Sequence, residues 1–279
     1  MLHEHRGAWR VAFRYGEELR DDVEAALWAW AHFGGLGGRT RRGFGAIRQS
    51  AGALPSIEEG WERWLRHPQR PRRVDWPALQ ADRENSLVKA AVTFDTGLMA
   101  QDHLLKALRL LRQGRLGRKP TSSRDERRPG RSYWPEADAI RAVTGQSAPD
   151  HRTRVTHVDA FPRAAFGMPI VFHFKDDRQG DPRDTQLKPV RGEKTLGRLA
   201  SPLVLRPHAG AIGVEALALV LSHPKPDGHV LDGAASRGKG IRTTISHDEA
   251  RDLTPLNAPN RDAFTDPLQR YLHLLRTGQ

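Results

Sequence analysis

The residues best suited to chemistry lie together in one short stretch, Gly34-Gly35-Leu36-Gly37-Gly38-Arg39-Thr40-Arg41-Arg42-Gly43-Phe44-Gly45. Six of its twelve positions are glycine, three are arginine and none is acidic. Glycine reaches positive φ without steric cost and lets another backbone approach closely, so Gly35, Gly37, Gly43 and Gly45 shape the loop. Guanidinium groups present planar forks of donors that match phosphate, which makes Arg39, Arg41 and Arg42 the candidate anion contacts. Phe44 joins them as the aromatic of the same segment. His32 stands two residues before the loop. Metal-free RNA cleavage needs a base for the 2′-hydroxyl and cations for the phosphorane, and His32 with these arginines is the alternative, catalytic reading.

A second concentration of cations runs from Lys106 to Arg131, with ten basic residues against two acids. Its glycines, prolines and Thr121-Ser122-Ser123 indicate a loop that orders on a polyanion. It ends in Gly130-Arg131-Ser132-Tyr133-Trp134-Pro135-Glu136. Arg131 beside Tyr133 and Trp134 is the basic-plus-aromatic arrangement on which single-stranded bases stack, while core packing of the two rings is the equal alternative. A second glycine-rich stretch, Gly233 to Gly240, adds Arg237 and Lys239 as candidate RNA contacts. It follows the phosphate-loop pattern as far as Gly238-Lys239, but Gly240 stands where a Ser or Thr should hold magnesium, so nucleotide hydrolysis is set aside. No metal site is expected: the chain has no H-E-x-x-H, and His151 and His157 have no matching second cluster.

Elements that position these groups follow from periodicity. Trp9, Val11, Phe13 and Tyr15 alternate with polar or small residues as in a half-buried strand, and Glu17 to Phe33 reads as an amphipathic helix stopped by Gly34-Gly35. The glycine loop therefore starts at the negative end of a helix dipole, which leaves anion attraction to the arginine side chains. A strand is expected from Phe44 to Gln49. Ser56 and Glu59 have capping-box spacing ahead of Trp61, Trp64 and Leu65. Further strands are expected at Ser86 to Asp95, Ile170 to Lys175, Ser201 to Arg206 and Ile241 to Ile245, with a loop from Asp176 to Glu193. Helices are expected at Gln101 to Arg112, from Pro135 to Val143, at Val214 to Ser222 from its Ala-Leu content, and at Asp266 to Arg276. On this reading strand, helix, basic glycine loop and strand occur twice, which suggests a structural duplication.

Composition agrees with a nucleic-acid partner. The 279 residues carry a formal charge of +12, and 37 of the 45 basic residues are arginine. Disulfides and thiolate chemistry are excluded, since there is no cysteine. No apolar run approaches a membrane span and the N-terminus is no signal peptide, so a cytoplasmic protein without a membrane partner is expected.

The loop has the form G-x-G-x5-G-x-G from Gly35 to Gly45, follows a helix and contains arginines; it resembles the glycine-rich loop of the RAMP superfamily of CRISPR-associated proteins. Three further stretches narrow the resemblance: Gly130 to Glu136, Ala165-Phe166-Gly167-Met168-Pro169-Ile170-Val171-Phe172, and Arg198-Leu199-Ala200-Ser201-Pro202-Leu203-Val204-Leu205-Arg206-Pro207. Together they look like the family of first RAMP subunits of the type III-B Cmr effector complex. That resemblance implies an α+β fold of two ferredoxin-like (RAMP/RRM-like) domains in a multisubunit ribonucleoprotein. It implies contacts with guide RNA and target RNA near the guide 3′ end and with other subunits. It further implies no catalysis by this subunit and no small-molecule cofactor. By resemblance, Arg39, Arg41 and Arg42 contact the RNA backbone. The expected division is 1–50 as the C-terminal part of a first RAMP domain, 51–85 as a connector and 86–279 as a second RAMP domain. The first domain is expected to be N-terminally truncated, because about sixteen residues precede the helix where the family carries half a domain.

Overall fold

A computed structural model describes residues 10–50, 54–66, 77–120, 130–233 and 240–278. Helix and sheet are mixed, and the chain forms two compact units. The first gathers the described residues up to 106 with 203–223 and 275–277; the second gathers those of 107–202, 224–274 and 278. This spatial division differs from the linear one expected at residues 50 and 85, because a hairpin more than a hundred residues downstream supplies two strands of the first unit. No helix among the described residues is long and apolar enough to cross a membrane.

In the first unit, β1 (Leu87–Phe94), β5 (Leu203–Ala209) and β6 (Val214–Val220) make an antiparallel sheet in the order β1-β6-β5. β6 is its centre, pairing Leu219 with Leu87 on one side and with Val204 on the other. Val214 to Ser222 is thus a strand and not the helix that its Ala-Leu content suggested. Flanked by two partners, its backbone is satisfied by ladder bonds and its side chains are buried on both faces, so tertiary pairing overrides propensity. With a strand in that place, the repeated order that suggested a duplication disappears.

Helix α1 (Arg20–Phe33) and helix α2 (Ile57–Trp64) cover one face of this sheet. Trp28 and Phe33 of α1 and Ile57, Trp61 and Trp64 of α2 pack with Leu87, Val204, Leu217 and Leu219. Trp28 and Phe33 both meet Trp61 edge to face, at ring-centroid distances of 6.2 and 5.8 Å, the geometry that ring quadrupoles favour. Each tryptophan also finds an acceptor: Trp28 donates to the Ser56 carbonyl, Trp61 to the Ala81 carbonyl and Trp64 to Asp21. The expected capping box is formed, with Glu59 N donating to Ser56 Oγ and Ser56 N donating to Glu59.

The strand expected at Trp9 to Tyr15 is not formed by residues 10–15, and Trp9 lies outside the described residues. No ladder engages the segment, and Val11, Phe13 and Tyr15 are exposed. Helix α3 (Gly97–Arg112) follows β1 as expected.

The second unit is built on β3 (Thr185–Arg191), which pairs antiparallel with β2 (Ile170–Phe172), β4 (Lys194–Thr195) and β7 (Gly228–Asp232). The loop expected from Asp176 to Glu193 therefore contains the central strand of this sheet. Its residues alternate between Thr185, Leu187 and Pro189 inside and partly exposed neighbours, a period that the surrounding glycines and acids masked. Residues 241–245 are not a strand. Helix α4 (Glu136–Thr144) lays Ala139, Ile140 and Val143 against Phe161, Met168, Ile170, Phe172, Leu187 and Leu231. Helix α5 (His247–Arg251) and helix α6 (Pro267–Thr277) complete the chain, and the latter agrees with the expected amphipathic helix.

Candidate nucleic-acid interface

The glycine loop leaves α1 at Gly34, whose N–H donates to Trp30 O at 2.9 Å. Its mouth is closed by Leu36 N donating to Gly45 O at 2.9 Å. Two overlapping turns follow, Arg42 N to Arg39 O at 2.8 Å and Gly43 N to Thr40 O at 3.0 Å. At the far side the loop docks on the edge of the first sheet: Leu205 N of β5 donates to Arg41 O, and the Gln101 amide donates to Arg42 O, both at 2.9 Å. The loop runs parallel to β5 at this single bridge, and Phe44 to Gln49 continue without the expected strand.

Two glycines are required by what surrounds them. Gly45 has φ 64°, and a Cβ there would sit 1.8 Å from the carbonyl oxygen of Leu36, the residue whose N–H closes the mouth. Gly43 has φ 83°, and a Cβ would meet Pro207 Cδ at 2.9 Å on β5. Gly35 lies against the Gly45 carbonyl, and Gly37 faces open space. The four positions expected to shape the loop thus include three that pack against backbone or β5.

Arg206 is the residue that sequence reasoning did not assign. It lies on β5, is 3% exposed, and its guanidinium donates to the carbonyls of Ala31, Gly34 and Ile47. Two of these carbonyls belong to the end of α1, where the last turn leaves acceptors unsatisfied, and the third lies on the outgoing side of the loop. One side chain therefore ties both ends of the loop to the sheet. It also places a cation at the negative end of the helix dipole. Burial pulls its pKa down to about 10, so it is charged at neutral pH. Its signal in the sequence was an arginine directly after the apolar run Leu203 to Leu205.

Arg39 is exposed and held at φ 60°, while Arg41, Arg42 and Phe44 are half-buried. The structure brings the three arginines together on one docked loop whose backbone is fixed by β5 and α3.

His32 is 4% exposed. Its Nε2 lies 2.9 Å from Pro55 O, and its Nδ1 lies 3.1 Å from His208 Nε2. Since a carbonyl only accepts, Nε2 carries the proton, Nδ1 accepts, and His208 donates from Nε2. Burial lowers the His32 pKa, and Arg206 lowers it further against the opposing Pro55 bond. Both ring nitrogens are committed within the protein, so His32 holds the loop root and is not presented as a base.

The second basic-aromatic stretch has a different environment. Trp134 is 1% exposed and its indole donates to Leu111 O at 3.1 Å, so it packs the core and offers no stacking face. Arg131 donates to Asp138 Oδ1 at 2.7 Å and to Thr153 O at 2.5 Å, which turns its guanidinium inward. Tyr133 is half-buried, with its backbone N–H on Gly117 O. Residues 121–129 of the basic segment, and Arg237 and Lys239, lie outside the described residues.

Around Asp138 the second unit carries a buried ion network. Arg141 bridges Asp138 and both oxygens of Asp181, and His151 Nδ1 lies 2.6 Å from Asp181 Oδ2. His151, Asp176 and Asp181 are close enough to suggest a metal site. Arg141, however, occupies both Asp181 oxygens, and the Ala148 N–H donates to one of them, so the cluster is satisfied by protein donors. Burial would raise the Asp181 pKa; Arg141, the Ala148 N–H and His151 outweigh it and hold the carboxyl at about 2.

Comparison with known proteins bears on the loop. Residues 6–48 match the family model described as the RAMP superfamily. The RAMP-like segment contains helix α1 and the whole glycine-arginine loop. No curated protein and no solved structure matches the chain.

Proposed function

We propose that this protein is a non-catalytic RNA-binding subunit of a type III-B CRISPR ribonucleoprotein. In this reading it contacts guide and target RNA near the guide 3′ end and works with other subunits of the effector. The observation that carries it is the glycine-arginine loop itself: it lies in the RAMP-like segment, its backbone is locked on β5 and by Arg206, and Arg39 is exposed on it. A net charge of +12 supports a polyanionic partner. The sheet order β1-β6-β5, with α3 following β1, matches the first strand-helix-strand-strand part of a ferredoxin-like domain, and we read the first unit as such a domain.

The test is fluorescence anisotropy of the full chain with guide RNA across a salt series. Binding should weaken steeply with salt, and Arg39/Arg41/Arg42→Ala should reduce both affinity and salt slope. Binding that is indifferent to salt, or untouched by the triple substitution, overturns the reading. The alternative, a metal-independent RNA endonuclease using His32, is disfavoured by the two hydrogen bonds that occupy its ring. Cleavage of RNA in EDTA by the wild type, lost in His32→Ala, would reinstate it.

A further inference from the structure

Of the five described tryptophans, Trp28, Trp61, Trp64 and Trp134 are buried, and each gives its indole N–H to a carbonyl or carboxylate within 3.1 Å. Trp30 is the exception. It is 36% exposed, and its Nε1 reaches only Gly35 O, at 3.4 Å. Helix geometry explains the difference: Trp28 packs on the sheet side of α1, and Trp30, two residues on, is turned about 200° from it around the axis. No described ring or guanidinium covers its indole, whereas Trp64 carries Arg63 at 4.8 Å.

The ring is nevertheless held. A Cβ on Gly34 would stand 2.6 Å from Trp30 Cδ1, so the glycine backbone lies against the pyrrole edge where the chain enters the glycine-arginine loop. An indole fixed at one edge loses little conformational freedom when a flat ligand covers its face. Its surroundings suit an anionic polymer. The second half of α1, Ala25 to Phe33, contains no acid, and neither does the loop that follows, on which Arg39 is exposed. A protein covering α1 would also bury Trp30, together with Leu19, which shares its face of the helix. What favours RNA is the adjoining cationic loop, because a base-bearing polyanion uses both the arginines and the ring, as in single-strand sites that pair a basic track with aromatic platforms.

We propose that Trp30 is a stacking platform for one base of the RNA whose backbone the glycine-arginine loop holds, and that it does so without preference among bases. The inference rests on the RNA-binding reading above and adds a base contact to it. The stacking ring that Trp134 does not offer is thereby supplied at the other basic stretch.

Anisotropy titrations of the full chain with a labelled oligouridine and an abasic ribose-phosphate oligomer of equal length test it. The two carry the same charge and differ in the bases. Trp30→Ala is expected to weaken oligouridine about tenfold, to leave the abasic oligomer unchanged and to keep the wild-type salt slope, since stacking displaces no counterions. Trp30→Phe should restore most of that loss. Tryptophan emission supplies a second readout that does not depend on the alanine variant: saturating oligouridine should quench the wild type more than Trp30→Phe. Equal quenching of those two proteins, or an alanine variant that weakens both oligomers alike or neither, overturns the platform and leaves the RNA-binding reading standing. Wild type that binds neither oligomer overturns both.

Discussion

The glycine-arginine loop and the Arg131 to Trp134 stretch are both basic, glycine-flanked and aromatic, yet Arg39 of the first is exposed whereas Arg131 of the second is half-buried. At Arg131 a buried carboxylate, Asp138, lies within 2.7 Å and draws the guanidinium inward. The loop has no acid in its sequence, and the buried arginine beside it, Arg206, comes from another strand and meets carbonyls. Position relative to an acid or a helix end decides whether an arginine is turned onto the protein. Cation density alone does not decide it.

The sharpest break in this comparison is Arg206→Met. It removes the donors of three carbonyls in a region closed to water and should cost about 4 kcal/mol in denaturant unfolding, with Arg206→Lys recovering part of that loss. If Arg206→Met unfolds like wild type, the loop is not anchored as described.

Asp181→Asn probes the ion-paired region and should cost up to about 2 kcal/mol at neutral pH. The folded carboxyl titrates at about 2, below its ordinary value of 3.8, so its contribution is complete above pH 4 and is lost as pH falls toward 2. Wild type should therefore lose stability across that window, and Asp181→Asn should lose less of it; parallel acid-unfolding curves would contradict the network.

Gly45→Ala should reduce RNA affinity far more than its cost of about 1–2 kcal/mol in stability suggests, because the clash with Leu36 O opens the loop mouth. The closest pairing of the two regions comes last. Arg131→Ala should lower the melting temperature and spare RNA binding, whereas Arg39→Ala should change stability by less than about 0.5 kcal/mol and lower the salt slope by about one. A stable Arg131→Ala that binds RNA poorly would reverse the assignment of roles.

Much of the first unit was legible beforehand. The amphipathic periodicity of α1, the capping box at Ser56 and the strand at Leu87 depend on neighbours within a few residues, and all three elements are present. Elements that depended on distant partners were misread. Val214 to Val220 looks helical until β1 and β5 flank it, and Val11, Phe13 and Tyr15 look like a strand although no partner pairs with residues 10–15. Trp134 was undecided between stacking and core, and only the Leu111 carbonyl at its indole settled it. In the sequence His32 stays open as an alternative catalytic residue because its two hydrogen-bond partners lie 23 and 176 residues away.

By itself the amino-acid sequence determined a basic, cysteine-free chain with a glycine-arginine loop after an amphipathic helix, since local spacing and side-chain chemistry encode those properties. Tertiary structure alone decided which arginines are drawn onto acceptors within the protein. A guanidinium goes to whichever carboxylate or carbonyl the fold brings within reach, and at Arg131, Arg141 and Arg206 the chain meets those acceptors only after it has folded.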